Sequence, residues 1–418
     1  MQNVIGWFFV LWALPATSAQ VTEALLLDCQ STLVRQGFEN VRVGAAGPET
    51  LFVDYENRVF RNEVTAAGVV LASLDTTLAE IDVLALTPKH RDLPICTIFV
   101  PLQRYREFIA GRLDADALAE ALTIEKGHDP SNKTQMTKQT ASSLRRFDVT
   151  IRPATAFQLG NYDDRLKISL SLMPEISTTL WRGGRLLAQA IIPLHDEIGV
   201  YTDEVRLGRL ALSQWLQLPG DGFAALSIGG FSPDRYGVAG EFNQFLFHRH
   251  IKLGAAAEYS GFLLRQNDYW NYSDLDRFTW RGFCNYIFTP IDLVVGLQYA
   301  EFLMEDHGWQ FEITRLYRDA EVAVYAAKTN VDKFGGVRLK IPLPPRRSAR
   351  PGRIRLISPG YYQLGYQATN EVYTVAEPVA TGITISTGNE LAALPKLLFP
   401  GYIRNNLSLW KAAAAFLR

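Results

Sequence analysis

From about residue 148 onward the chain alternates between apolar and polar positions. In "RLKISLSL", Leu166, Ile168, Leu170 and Leu172 share one parity, while Arg165, Lys167, Ser169 and Ser171 share the other. In "YGVAGEFNQFLF", Tyr236, Val238, Phe242 and Leu246 stand opposite Glu241 and Asn243. "HIKLGAAAEYS" sets Ile251, Leu253, Ala255, Ala257 and Tyr259 against Lys252, Gly254 and Glu258. "HGWQFEITRLYRDAEVAVYAAKTN" holds two such runs. Trp309, Phe311 and Ile313 alternate with Gln310, Glu312 and Thr314, and the pattern resumes at Val322, Val324 and Ala326 after the polar joint Tyr317-Arg318-Asp319. A period of two on both sides of a tight polar joint predicts a β-hairpin. About twelve such runs fill residues 148–343. Short joints ("HRH", "RDAE") alternate with long polar ones ("HDEIGVYTDE", "RQNDYWNYSDLD"), which is the asymmetry of outer-membrane barrels. Aromatic residues near the run ends suit a membrane-interface belt.

Before residue 148 the pattern is mixed. "VTEALLLDCQSTLVRQGF" has helical spacing and a stop at Gly37,. "NVRVGAAGPETLFVDYENRVF" reads as two short strands around a Gly-Pro turn, and "EVTAAGVVLASLDTTLAEI" as a second helix. Strands follow in "DVLALTP" and "CTIFVPL", then helix in "RYREFIAGRLDADALAEAL". These elements predict an α+β domain over residues 20–126. The aperiodic "GHDPSNKTQMTKQTASSLRRF" predicts a linker over 127–147. The apolar run Val4–Leu14, Pro15 and the small residues through Ala19 read as a signal peptide over 1–19,. A buried N-terminal helix is the plainer alternative. No other apolar stretch is long enough for a spanning helix. The expected order is therefore a leader, a periplasmic α+β domain, a linker, an antiparallel outer-membrane β-barrel of about 12 strands over 148–345, and a C-terminal region over 346–418 of undetermined structure. That last region ends in "NLSLWKAAAAFLR", an amphipathic helix pattern.

Composition agrees with a barrel without singling it out. Apolar residues make up 48% of the 418 residues and aromatics 11%, yet the mean hydropathy is −0.01. A sheet with one lipid-facing and one polar face averages this way, and large soluble β-proteins do too. A net charge of −1 supplies no field for nucleic acid. Of the three cysteines, Cys29 and Cys96 either pair in an oxidising compartment or are two buried thiols. No lipobox precedes Cys29.

Candidate chemistry is sparse. On a barrel reading, Arg165, Lys167, Glu241, Lys252, Glu258, Gln310 and Glu312 face the lumen. Tyr269, Trp270 and Tyr272, in a long loop, are candidates for stacking on sugar rings, with a girdle or loop-packing role as the alternative. His248-Arg249-His250 reads as a solvated turn. The carboxylates of "NYDDR" and "NDYWNYSDLD" are ordinary turn formers rather than a glycosidase pair, and no G-x-S-x-G or P-loop is present. No catalytic, cofactor or metal site is expected.

Three segments carry a family resemblance. They are "LLLDCQSTLVRQGFENVRVGAAGPETLFVDYENRVFRNE", "VYTDEVRLGRLALSQWLQLPGDGFAALSIGGFSPDRYGVAGEF" and "HGWQFEITRLYRDAEVAVYAAKTNVDKFGGVRLKIPLP". In this order they resemble the YjbH-type exopolysaccharide biosynthesis family of GfcD/YjbH-like outer-membrane β-barrel proteins. The resemblance implies a periplasmic domain coupled to a barrel in the outer membrane of a Gram-negative bacterium, acting without catalysis in exopolysaccharide or capsule production or export. The implied partners are outer-membrane lipid, polysaccharide and periplasmic or outer-membrane export components, with no nucleic acid. The alternative is a soluble periplasmic β-rich protein that binds or processes polysaccharide.

Overall fold

The computed structural model describes residues 21–127, 134–159, 166–198, 204–231, 234–266, 269–302, 305–331, 333–349, 352–369 and 400–417. The expected leader lies outside them, as does the whole of "NYDDR", Arg165 included.

The first part is α+β. Its elements are α1 (Glu23–Gln36), β1 (Glu39–Ala46), β2 (Thr50–Glu56), α2 (Glu63–Leu74), β3 (Val83–His90), β4 (Leu93–Pro94), β5 (Cys96–Pro101), α3 (Leu102–Ile109), α4 (Ala115–Ala121) and β6 (Thr123–Lys126). Thr22 caps α1 by accepting from the Leu25 N–H, and Gly37 ends it at φ 100°, a left-handed conformation that costs glycine little. The strands form one sheet in the order β1-β2-β3-β5-β6, with β4 on β3. β2 and β3 are parallel, and α2 makes the crossover that parallel neighbours need. Residues of the expected linker lie along β1, with bridges Val41–Thr140 and Gly44–Met136.

The second part is one 15-stranded sheet. Its strands are β7 (Phe147–Leu159), β8 (Leu166–Trp181), β9 (Gly184–Asp196), β10 (Arg206–Leu218), β11 (Gly222–Phe231), β12 (Arg235–Leu246), β13 (Ile251–Gln266), β14 (Tyr269–Tyr272), β15 (Arg277–Phe288), β16 (Leu293–Glu301), β17 (His307–Tyr317), β18 (Ala320–Thr329), β19 (Lys333–Ile341), β20 (Ile354–Leu356) and β21 (Tyr362–Thr369). β7 to β19 form a meander, with β14 folded back on β13 alone. β21 extends the sheet beyond β19 and β20 pairs in parallel with β7, so the sheet continues into the region that sequence pattern left undetermined. Each step along β7–β21 is antiparallel, which leaves β7 and β21 pointing the same way. These two strands also meet. Thr155 and Tyr362 share a hydroxyl hydrogen bond, and Phe157 stacks on Tyr366 with ring centroids 6.5 Å apart. No ladder joins them among the described residues.

The chain then returns to the first part. Helices α5 (Pro400–Asn405) and α6 (Ser408–Leu417) bury Tyr402, Ile403, Leu407 and Trp410 in the α+β core. The Trp410 indole N–H donates to the Val64 carbonyl at 3.0 Å. Gly68 makes this approach feasible, because a Cβ there would lie 2.8 Å from Trp410 Cδ1. The amphipathic pattern of the last residues thus serves the core of the first domain, about 340 residues earlier in the chain.

Candidate functional site

The large sheet is built inside out. On β8, Ser169, Ser171 and Glu175 are 1%, 3% and 5% exposed, while Leu170 and Ile176 are 37% and 49% exposed. On β11, Ser227 is buried between exposed Leu226 and Ile228. On β17, Trp309, Phe311 and Ile313 are exposed while Gln310, Glu312 and Thr314 are half-buried. A soluble protein buries its apolar parity, since each fully buried large side chain contributes about 1.5–3 kcal/mol. Here the opposite parity is covered.

Part of the covered polar face is internally paired, as buried polar groups favour, while the Ser169, Ser171 and Asn243 side chains have no hydrogen-bond partner among the described residues. Glu241 is buried, with Arg281 3.7 Å away. Lys252 is half-buried, and its ammonium stands 5.2 Å from the Phe283 ring, which also receives the Arg281 guanidinium at 5.3 Å. Glu258 is buried further along β13. Gln310 accepts from Gln298 at 2.9 Å, and Glu312 accepts from Thr314 at 2.9 Å and from Arg338 at 2.6 Å. The structure therefore gathers Glu241 and Lys252 around Phe283 and Arg281, and Gln310 and Glu312 into a second patch. Lys167 is half-buried on β8, apart from both. Arg165 lies outside the described residues.

The inner face changes character along its length. Toward the short turns it becomes apolar: Trp215, Phe223, Phe245 and Leu316 are buried and belong to the same core cluster as the α+β domain. The domain therefore caps the short-turn end of the inner face. Its grip on the turns is specific. The Arg91 carbonyl accepts from Gly183 N–H in the β8–β9 turn at 2.8 Å. Its guanidinium donates to Ser213 at 3.1 Å and lies 4.6 Å over the Trp215 ring. Beside it, burial pushes the His90 imidazole well below its usual pKa, with Arg91, Arg58 and Arg185 adding to the shift. Arg61 and Asn62 donate to Asp319 in the β17–β18 turn at 2.7 and 2.6 Å, and the Tyr402 hydroxyl donates to the Arg318 carbonyl at 2.5 Å.

Arg249 corrects one expectation. His248-Arg249-His250 is a turn, but only His248 is exposed in it. Arg249 is 5% exposed and holds Asp221 with two bonds of 2.6 and 2.7 Å, plus the Ile95 carbonyl at 3.1 Å. Its turn is a docking contact because the α+β domain lies on it, a fact no local pattern carries. Among the described residues no group of His, Cys, Asp and Glu is placed to hold a metal.

The strongest junction was not singled out from sequence. Glu39 accepts from Arg355 at 2.8 Å and Arg146 at 2.7 Å, Arg355 also holds Asp148 at 2.5 Å, and Arg58 bridges Glu56 at 2.8 Å and Asp148 at 3.4 Å. Glu56 further accepts from Asn40 at 2.6 Å and from the Arg91 and Asp92 amides at 3.1 Å. Three carboxylates and three guanidinium groups thus join β1, β2, β7 and β20. Burial raises the Glu39 pKa despite the pull of Arg355, Arg58 and Arg146. Burial also opposes the Arg58 charge, but Glu56, Asp148 and Glu39 outweigh it and hold the guanidinium above its usual value. Asn57 fixes the adjoining turn by accepting from Val59 and Phe60 N–H at 3.1 and 2.8 Å. "YENRVF" is therefore part of the joint between the two parts. Charged residues inside an otherwise apolar stretch were the available signal.

All three cysteines are free thiols, Cys29 and Cys96 buried and Cys284 exposed. Burial pushes Cys29 up to about 11 and Cys96 to about 12, so neither is a nucleophile at neutral pH.

A family model described as YjbH, exopolysaccharide biosynthesis protein YbjH, matches residues 14–346. This chain belongs to that family. The matched span takes in the α+β elements, the buried ion network except Arg355, and the meander through β19. Family membership places the chain in exopolysaccharide biosynthesis. No curated protein and no solved structure matches it.

Proposed function

We propose that this YjbH-family chain is a non-catalytic outer-membrane protein of exopolysaccharide production or export. The carrying observation is the inverted burial of the large sheet. Rolled into a barrel, its exposed parity meets lipid and its polar parity, including Lys167, Glu241, Lys252, Glu258, Gln310 and Glu312, lines an aqueous interior. The strand lengths support this reading, since about 9–11 tilted residues cross a bilayer. So does the approach of β7 to β21, because an unpaired sheet edge is costly in hydrocarbon. Outer-membrane barrels turn tightly on the periplasmic side. The α+β domain grips the short turns, so on this reading it lies in the periplasm, closes the inner mouth and is available to export components.

The test is fractionation of the expressed protein. Recovery in the outer membrane, with release only by detergent, is the expected result. Recovery in a soluble periplasmic fraction would establish the alternative of a soluble β-rich polysaccharide-binding or processing protein.

A further inference from the structure

The end of the sheet away from the α+β domain carries a feature that neither a lipid surface nor a packed interior explains. β12 pairs with β13 only as far as Phe262, and β15 only as far as Ser260. Beyond them β13 continues to Gln266 and β14 folds back along it, with Leu263 opposite Tyr272 and Arg265 opposite Trp270. Beyond its foot, where the Leu263 N–H donates to the Asp234 carbonyl at 2.8 Å, the ribbon pairs with no other strand among the described residues. From Ile251 to Phe262 the strand rises about 37 Å at ~3.4 Å per residue. At a tilt near 40° that is roughly 28 Å along a membrane normal, about the thickness of the hydrocarbon layer. The ribbon starts where the hydrocarbon would end.

Its aromatic residues face water on both sides. Tyr269, Trp270 and Tyr272 are 75%, 50% and 73% exposed. Alternation puts Trp270 and Tyr272 on one side of β14 and Tyr269 on the other. A membrane girdle needs aromatic residues on the outward side alone, so a two-sided aromatic ribbon is not one. At its foot is a shallow, open cleft lined by Trp270, Leu263, Phe231, Arg206, Asp234 and Arg235. Arg206 holds Asp234 at 3.0 Å, Arg235 donates to Ser260 at 2.9 Å, and Tyr236 donates to the Ser273 carbonyl at 2.6 Å. The last bond ties the returning chain down.

We infer that this ribbon and cleft bind the exopolysaccharide, a pyranose ring stacking on Trp270 and Tyr272 while Arg206, Asp234 and Arg235 meet its hydroxyl or carboxylate groups. A flat apolar face edged with polar groups matches the exposed part of the Trp270 ring and the charged cleft beside it. This assignment rests on the outer-membrane reading above, because that reading turns the ribbon toward the cell exterior.

The experiment is affinity electrophoresis of the detergent-solubilised full chain in gels containing exopolysaccharide purified from the bacterium that makes the protein. Retardation of the native chain is expected. Trp270→Ala and Tyr272→Ala should each weaken it about tenfold, equivalent to about 1.4 kcal/mol. Trp270→Tyr should largely restore it, and Trp309→Ala, on the apolar parity of the sheet, should leave it unchanged. Membrane recovery is measured for every variant alongside. A native chain found in the membrane but not retarded, or retarded equally as Trp270→Ala, overturns the binding site and leaves the membrane reading intact. A chain that is soluble yet retarded overturns the membrane reading instead.

Discussion

Glu63 is the residue whose charge state depends most directly on the fold. It opens α2, where an acidic side chain suits the helix dipole. Burial nevertheless pushes it up to about 8 from its ordinary 4.5, with Asn57 and Arg58 pulling the other way and Glu56 reinforcing the rise. The folded chain therefore keeps a proton that the unfolded chain releases. Stability from this group is complete below pH ~4.5 and is lost as pH rises through about 8,. Glu63→Gln should remove that slope and raise stability at pH 8 by up to about 4 kcal/mol, read by thermal unfolding across pH 5–9. An unchanged slope in the variant would show that the carboxyl is ionised in the fold. Arg249 gives a second test at this scale. Arg249→Ala removes both bonds to the half-buried Asp221 and the bond to the Ile95 carbonyl, and losing charge-assisted bonds of this kind typically costs about 1.5–3 kcal/mol. The loss should show as faster proteolysis of residues 21–127.

Among elements, the strands of the large sheet were legible because their two parities differ in polarity over most of their length. The alternation in "RLKISLSL" and "WQFEITRLY" specifies a two-faced strand whatever it faces. Arg placed at Ile168, Leu170 or Leu253 should cost roughly 2–4 kcal/mol if these positions lie at mid-membrane, whereas Arg at the inner-parity position Gln310 should be tolerated. Refolding into detergent or lipid vesicles measures both, and equal tolerance on the two parities would sink the lipid-facing assignment. The α2–α6 contact obeys a different rule. Alanine improves helix propensity over glycine by about 1 kcal/mol, but at Gly68 its Cβ meets Trp410 Cδ1 at 2.8 Å. Overpacking of about 1–3 kcal/mol should outweigh the gain, so Gly68→Ala should lower the unfolding temperature. Trp410→Phe, which loses the bond to the Val64 carbonyl, should lower it as well.

On the scale of the whole molecule, the α+β domain is discontinuous in sequence, with α5 and α6 completing a core begun at α1. A chain ending at residue 399 should expose the α2 surface that Trp410 covers and fail to hold the domain on the turns, seen as protease sensitivity of residues 21–127 with the sheet still protected. In cells, deletion of the gene should reduce secreted or surface polysaccharide without depleting its cytoplasmic precursors. Excising residues 21–126 should give the same loss. Normal secretion by the truncated chain would remove the docking role from the α+β domain.

Sequence alone determined what depends on near neighbours. The stop of α1 at Gly37, the two-residue period of the strands and the contrast of short turns with long connections all follow from local backbone and side-chain chemistry. Tertiary structure decided everything that depends on contacts between distant segments. Nothing near Arg249 says that Ile95 will lie against it, nothing near Glu39 says that Arg355 will neutralise it, and nothing in "NLSLWKAAAAFLR" says that its partner is Val64. Period-two alternation shows that a strand has two faces, but it does not say which is covered. That was decided by the tertiary structure, in which the polar parity is covered and the apolar one exposed, with the α+β domain seated on the short turns.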